Sequence, residues 1–140
     1  MKMQDLTLQA SDDNLYKVLD VIEGYLNQGG CKEEIRTEIL ISVEEIYVNI
    51  AHYAYGGEAG EVVVQMEIVE ESGVCRIVFR DRGVPYNPLE KEDPDISLSA
   101  EERKIGGLGI YMVKQYMDRV LYRYEDGWNV LTMEKGILRT

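Results

Sequence analysis

Two stretches of strict alternation constrain this chain more than any other feature. Val62, Val64, Met66 and Ile68 alternate, Glu71-Ser72-Gly73 supplies a turn, and Cys75, Ile77 and Phe79 resume the alternation. A side-chain period of two is the mark of a strand, and a short glycine-containing turn between two such runs makes an antiparallel hairpin. The same pattern returns near the C-terminus, where strands around 120–124 and 128–134 flank Asp126-Gly127, a pair suited to the positive φ of a tight hairpin turn. Strands that arrive as hairpins build an antiparallel sheet, which excludes a doubly wound parallel one.

The remaining segments have helical spacing. Met3, Leu6 and Leu8 predict a short first strand within residues 2–9. After the cap-forming cluster Ser11-Asp12-Asp13, Leu15, Val18, Leu19, Ile22 and Leu26 predict a helix that Gly29-Gly30 ends. A longer helix follows from near Lys32 to about Tyr55, with Ile35, Ile39, Val43, Ile46 and Ile50 on one stripe and Gly56-Gly57 as its stop. From Arg82 to Ile105 periodicity disappears, and a patternless loop of this length is usually functional. Beyond Gly106-Gly107-Leu108-Gly109, Ile110, Val113, Met117 and Val120 predict a third helix. The expected fold is an α/β two-layer sandwich, a mostly antiparallel sheet with three helices on one face, formed as one domain over residues 1–140.

Composition narrows the function. With 26 acidic against 15 basic residues the formal charge is −11, which argues against a nucleic-acid groove and against adhesion to anionic membrane surfaces. No apolar run is long enough to span a bilayer, and the N-terminus lacks the apolar core of a signal peptide. Cys31 and Cys75 stand far apart without a neighbouring histidine cluster, so reduced structural thiols are expected rather than a zinc site or a disulfide framework. These features together lead to a cytoplasmic protein as the expectation.

Three segments depart from what a plain core requires. Glu45 and Asn49 lie four residues apart on the long helix, about 40° apart around its axis, so a carboxylate and an amide share one face. Such a pair can take a proton from a hydroxyl while offering oxygen to a hard cation such as Mg²⁺; an amphipathic helix also carries such pairs on its solvated flank. Next, alternation places Asp81 in phase with Cys75, Ile77 and Phe79, on the apolar face. A carboxylate there needs a partner, either a neighbouring arginine or a donor brought by a ligand, such as an exocyclic amine. Gly83, two residues on, allows a close backbone approach or a positive φ. Finally, Gly106-Gly107-Leu108-Gly109 opens a helix, where free N–H groups and the positive dipole end suit a phosphate. It is neither a Walker loop nor a dinucleotide loop, because no Gly-Lys-Ser/Thr follows and Met112 takes the third glycine position.

In this order, E-x-x-x-N, D-x-G-x-P and G-G-x-G resemble the histidine-kinase-like ATPase superfamily. Within it, the chain looks most like the bacterial anti-sigma-factor serine/threonine kinases and their regulatory relatives. The resemblance implies an ATP-binding sandwich fold with ATP and Mg²⁺ as cofactors. It implies Glu45 as general base, Asn49 as Mg²⁺ ligand, and Asp81 as acceptor for the adenine amino group beside Gly83. It further implies that Gly106, Gly107, Leu108 and Gly109 meet the phosphates through the backbone, with residues 86–105 as a lid and Arg103 or Lys104 at the γ-phosphate. Thr132 corresponds to a threonine near adenine.

The implied activity is phosphorylation of a STAS-type anti-anti-sigma protein, and the implied partners are that protein and a sigma factor, with a second copy of this chain as a further candidate. One position departs from the pattern. Serine-kinase relatives often carry a histidine four residues after the asparagine, whereas Tyr53 stands here and His52 is rotated about 100° away. A nucleotide-gated binding module without transfer is therefore the alternative function. A detached sensor-kinase catalytic half fits less well, because no helical region with a phosphoacceptor histidine is present in the chain.

Overall fold

A computed structural model describes residues 1–90 and 108–137. Its elements are β1 (Leu6–Gln9), α1 (Leu15–Gln28), α2 (Glu33–Tyr53), β2 (Glu61–Val69), β3 (Val74–Asp81), α3 (Leu108–Tyr116), β4 (Arg119–Glu125) and β5 (Trp128–Gly136). Short 3-10 turns at Asp12–Asn14 and Pro88–Glu90 complete the described path. The five strands form one sheet in the order β1-β2-β3-β5-β4, and every neighbouring pair is antiparallel. With three helices packed against it, this is the α/β sandwich expected from the two hairpins.

Alternation fixes which face each strand buries. Val62, Val64, Met66 and Ile68 of β2 and Cys75, Ile77 and Phe79 of β3 all turn inward, in phase across the register pairs Val64↔Phe79 and Met66↔Ile77. They meet Ile22 and Leu26 of α1, Ile39, Val43 and Ile46 of α2, and Ile110 and Val113 of α3 in one core. Each of these large side chains contributes about 1.5–3 kcal/mol by leaving water. Cys31 and Cys75 are buried free thiols in that core, and burial first, then the nearby Cys31, pushes the Cys75 thiol up to about 12.

Three local expectations need correction. The first strand begins at Leu6 rather than residue 2; further upstream only an isolated bridge, Lys2 to Glu67, extends it. Ser11 makes no side-chain cap, because the chain first forms a 3-10 turn and α1 starts at Leu15. The third helix stops at Tyr116, so Val120 belongs to β4. The buried Lys135 ammonium helps end it there by donating to the Tyr116 carbonyl, a favourable cation at a helix C-terminus.

Tyr47 ties α2 to the segment after β1. Its ring is fully buried, and its hydroxyl donates to the Ser11 carbonyl (2.6 Å) while accepting from the Ser11 N–H (3.2 Å). Tyr47→Phe removes one partner of each backbone group, leaving the Ser11 N–H to the Gln9 carbonyl and the Ser11 carbonyl to the Asn14 N–H, and is expected to cost about 1 kcal/mol of folding free energy. Urea denaturation checks this, and an unchanged midpoint would contradict it.

Candidate functional site

A cavity of about 470 Å³ opens between α2 and the inner face of the sheet. Ile46, Asn49 and Ile50 line it from α2, Phe79 and Asp81 from β3, and Tyr122, Asn129 and Leu131 from β4 and β5. Val84, Pro85 and Tyr86 form its rim where the chain leaves β3. Its size and mixture of aromatic, aliphatic and few polar groups suit a planar organic ligand.

Asp81 marks one end. It completes the inward series Cys75, Ile77, Phe79 and is 4 % exposed. Among the described residues no arginine pairs with it. Its Oδ1 accepts the Gly83 N–H at 2.9 Å and the Asn129 side-chain N–H at 2.9 Å, and Oδ2 has no hydrogen-bond partner among the described residues. Burial raises the Asp81 pKa above the ordinary carboxylate range, and the two N–H donors work in the opposite direction. An acceptor-only oxygen is thus left at the cavity wall, complementary to an amino group.

Gly83 serves close approach rather than positive φ. A Cβ built there would stand 2.1 Å from the Ala54 carbonyl oxygen, and the adjoining Val84 N–H donates to that same oxygen at 2.9 Å. The end of β3 therefore passes directly beneath the C-terminus of α2. Tyr55 secures the crossing, its hydroxyl accepting the Arg82 N–H at 2.9 Å.

Asn49 lines the cavity from α2, and Glu45 stands beside it one helical turn earlier. Both are half-buried, and the Asn49 side-chain N–H donates to Glu45 Oε1 at 3.3 Å. That bond orients the amide so that its oxygen stays available as a ligand. The first turn of α3 presses on the same carboxylate: a Cβ at Gly109 would lie 2.1 Å from Glu45 Cδ. Glycine at this position lets the first turn of a helix, whose N–H groups have no intrahelical partner, come against the acid–amide pair.

The other expected positions divide. Leu108 opens α3 beside Gly109, whereas Arg103, Lys104, Gly106 and Gly107 lie outside the described residues. Thr132 does not join the cavity wall. It pairs with Val78 and Leu121 and is one residue out of phase with Asn129 and Leu131, so alternation turns it to the opposite face of the sheet. Tyr53 does line the cavity. His52 is turned away, its Nε2 lying 2.9 Å from both Asp12 carboxylate oxygens.

Asn129 is the residue that the sequence reading missed. It is 7 % exposed and lies beside Asp81 in the β3–β5 register. The signal was present: a polar residue in phase with apolar Leu131 and Met133, the same anomaly that singles out Asp81.

The donor set can be compared with what a magnesium nucleotide requires. Among the described residues no group of three His, Cys, Asp or Glu could hold a metal ion by itself. Mg²⁺ characteristically takes one or two protein oxygens and completes its shell with phosphates and water, which the Asn49 amide oxygen beside Glu45 accommodates. The apolar cavity and the free Asp81 oxygen fit a 6-aminopurine.

Comparison with known proteins identifies the family. The Histidine kinase-like ATPase domain family matches residues 8–135. The chain is 28 % identical over 115 residues to the serine-protein kinase RsbW of Listeria monocytogenes, covering 79 % of this chain and 72 % of that protein. It is 30 % identical over 120 residues to the serine-protein kinase RsbW of Bacillus cereus, covering 83 % and 73 %. Among solved structures, that of the RsbU and RsbW domains of Rv1364c from Mycobacterium tuberculosis superposes with a TM-score of 0.68 at 15 % identity. That match covers 99 % of this chain and about a third, 34 %, of the larger one, and it establishes the fold alone. With the family matched over nearly its whole length and the RsbW kinases as relatives, this chain belongs to the histidine kinase-like ATPase domain family.

Proposed function

We propose that this protein binds Mg-ATP and phosphorylates a serine or threonine of a STAS-type anti-anti-sigma protein, and that its nucleotide-bound form sequesters a sigma factor in the cytoplasm. The observation that carries the reading is a cavity walled by Asp81 and Asn49, with Asn49 donating in turn to the Glu45 carboxylate, on which Gly109 at the start of α3 packs. The names of the RsbW relatives support the kinase class.

Each residue then has a defined task. Asp81 Oδ2 accepts from the adenine amino group, while Phe79, Ile50 and Leu131 exclude water from the ring. The N–H groups at the start of α3 face the phosphates. Asn49 offers its amide oxygen to Mg²⁺, which when bound neutralises phosphate charge. Glu45 accepts the proton of the attacking hydroxyl as the phosphoryl group is transferred. Such transfer depends chiefly on positioning and charge stabilisation, which this arrangement provides without a covalent enzyme intermediate. Arg103 and Lys104 are the proposed γ-phosphate contacts, and the segment 86–105 the proposed lid.

The direct test is incubation with γ-labelled ATP, Mg²⁺ and the STAS-type protein encoded nearest to this one. Label is expected on a serine or threonine of that protein. ATP binding without label would favour the second reading, a nucleotide-gated binding module. Tyr53, at the cavity in place of the histidine common in serine-kinase relatives, is the observation in its favour.

Gly109 separates placement of the base from its chemistry. In Gly109→Ala the new methyl meets the flexible end of Glu45 rather than backbone, so the carboxylate is displaced and the fold retained. Transfer is expected to fall about tenfold, with the thermal midpoint little changed. Full activity in this variant would show that Glu45 need not occupy the described position.

A further inference from the structure

Asn129 is the hub of a polar network at the cavity, with five contacts to described residues. Its Nδ2 donates to Asp81 Oδ1 (2.9 Å), the Val84 carbonyl (3.1 Å) and the Gly83 carbonyl (3.3 Å). Its Oδ1 accepts from the Tyr86 N–H (3.2 Å) and the Tyr122 hydroxyl. The polarity of these contacts fixes the amide: turned over, it would set its oxygen against the Asp81 carboxylate and its N–H₂ against a backbone N–H.

We propose that Asn129, kept in this orientation by Tyr122, is the positioning residue that makes the site selective for 6-aminopurine over 6-oxopurine nucleotides. The inference rests on the nucleotide reading above and adds a residue to it. By occupying Oδ1 of Asp81 together with the Gly83 N–H, Asn129 holds the carboxylate in one rotamer with Oδ2 toward the cavity. An ionised carboxylate only accepts, so it pairs with an amino group and opposes a carbonyl oxygen. A buried carboxyl deprived of this donor is more readily protonated and free to turn, and the acid form can donate to a 6-oxo group. Asn129 also holds the root of the 83–86 segment to β5, so a purely structural role would weaken every nucleotide alike. Selectivity would then be unchanged.

The ratio of affinities therefore distinguishes the two roles. The full chain is titrated with ADP and with inosine diphosphate by calorimetry, as wild type, Asn129→Leu and Tyr122→Phe. Wild type is expected to prefer ADP, and Asn129→Leu to lose about tenfold or more of that preference, chiefly through weaker ADP binding. Tyr122→Phe removes one anchor of the amide from a partly exposed position and is expected to lose about threefold. It supplies the result if Asn129→Leu does not fold. Equal weakening of both nucleotides, or wild-type selectivity in Tyr122→Phe alongside a folded Asn129→Leu that keeps its own, would overturn the role of Asn129 alone. Absence of ADP binding by the wild type would instead overturn the nucleotide reading on which it stands.

Discussion

Glu45→Gln is expected to lower phosphoryl transfer to the partner by about 10²–10⁴-fold while leaving ADP affinity within about twofold of wild type. Glutamine keeps the length of the side chain and an oxygen that can accept the Asn49 N–H now given to Glu45 Oε1 at 3.3 Å. Local packing against Gly109 therefore survives, and what disappears is the ability to take a proton. Rates with labelled ATP, set beside calorimetric ADP affinities, separate the two effects. Loss of both would mean that Glu45 supports the site mechanically. Loss of neither would mean that another group receives the proton.

Asp81→Asn is expected to weaken ADP binding about 10–100-fold, the loss of a hydrogen bond to a charged acceptor. The substitution is nearly isosteric, and an amide oxygen can still accept from Asn129 and the Gly83 N–H. The new N–H₂ replaces the free oxygen at the cavity wall and opposes the adenine amino group. Folding should respond in the other direction. Because burial raises the Asp81 pKa, the folded state favours the protonated acid. The stability associated with that form is present at low pH, below the range of an unfolded carboxyl, and is lost as pH rises through the folded value. At neutral pH the ionised carboxylate thus works against folding, and asparagine removes that cost. The variant should melt at or above the wild-type temperature at pH 7, with the difference shrinking as the medium is acidified. A variant that melts far lower, with binding unaffected, would reverse both assignments.

The contrast between Asp81 and Asn129 shows what the sequence made legible. Asp81 stood out because its neighbours on the same strand are apolar at every second position, so its phase and burial follow from one strand alone. Its partner did not. Asn129 is paired with Asp81 only through the antiparallel register of β3 and β5, which joins residues 48 positions apart. Alternation along β5 marks Asn129 as inward-facing, but the nearby Thr132 drew the assignment through family likeness and is out of phase by one residue. The Glu45–Asn49 pair was readable from helix geometry, whereas the pressure of Gly109 on Glu45 depends on how α3 packs against α2. At element ends, local signals yielded to tertiary contacts. Lys135 on β5 caps the third helix at the Tyr116 carbonyl, and nothing in the 108–120 spacing announces that contact.

The central claim is that the cavity between α2 and the sheet holds an adenine nucleotide with Mg²⁺. Calorimetric titration of the full chain with ATP, with and without Mg²⁺, tests it most directly. The expected result is saturable binding at one site per chain, strengthened by Mg²⁺ and displaced by ADP. No saturable heat at millimolar ATP, confirmed by the absence of competition from ADP, would contradict the claim and leave the fold without the function proposed for it.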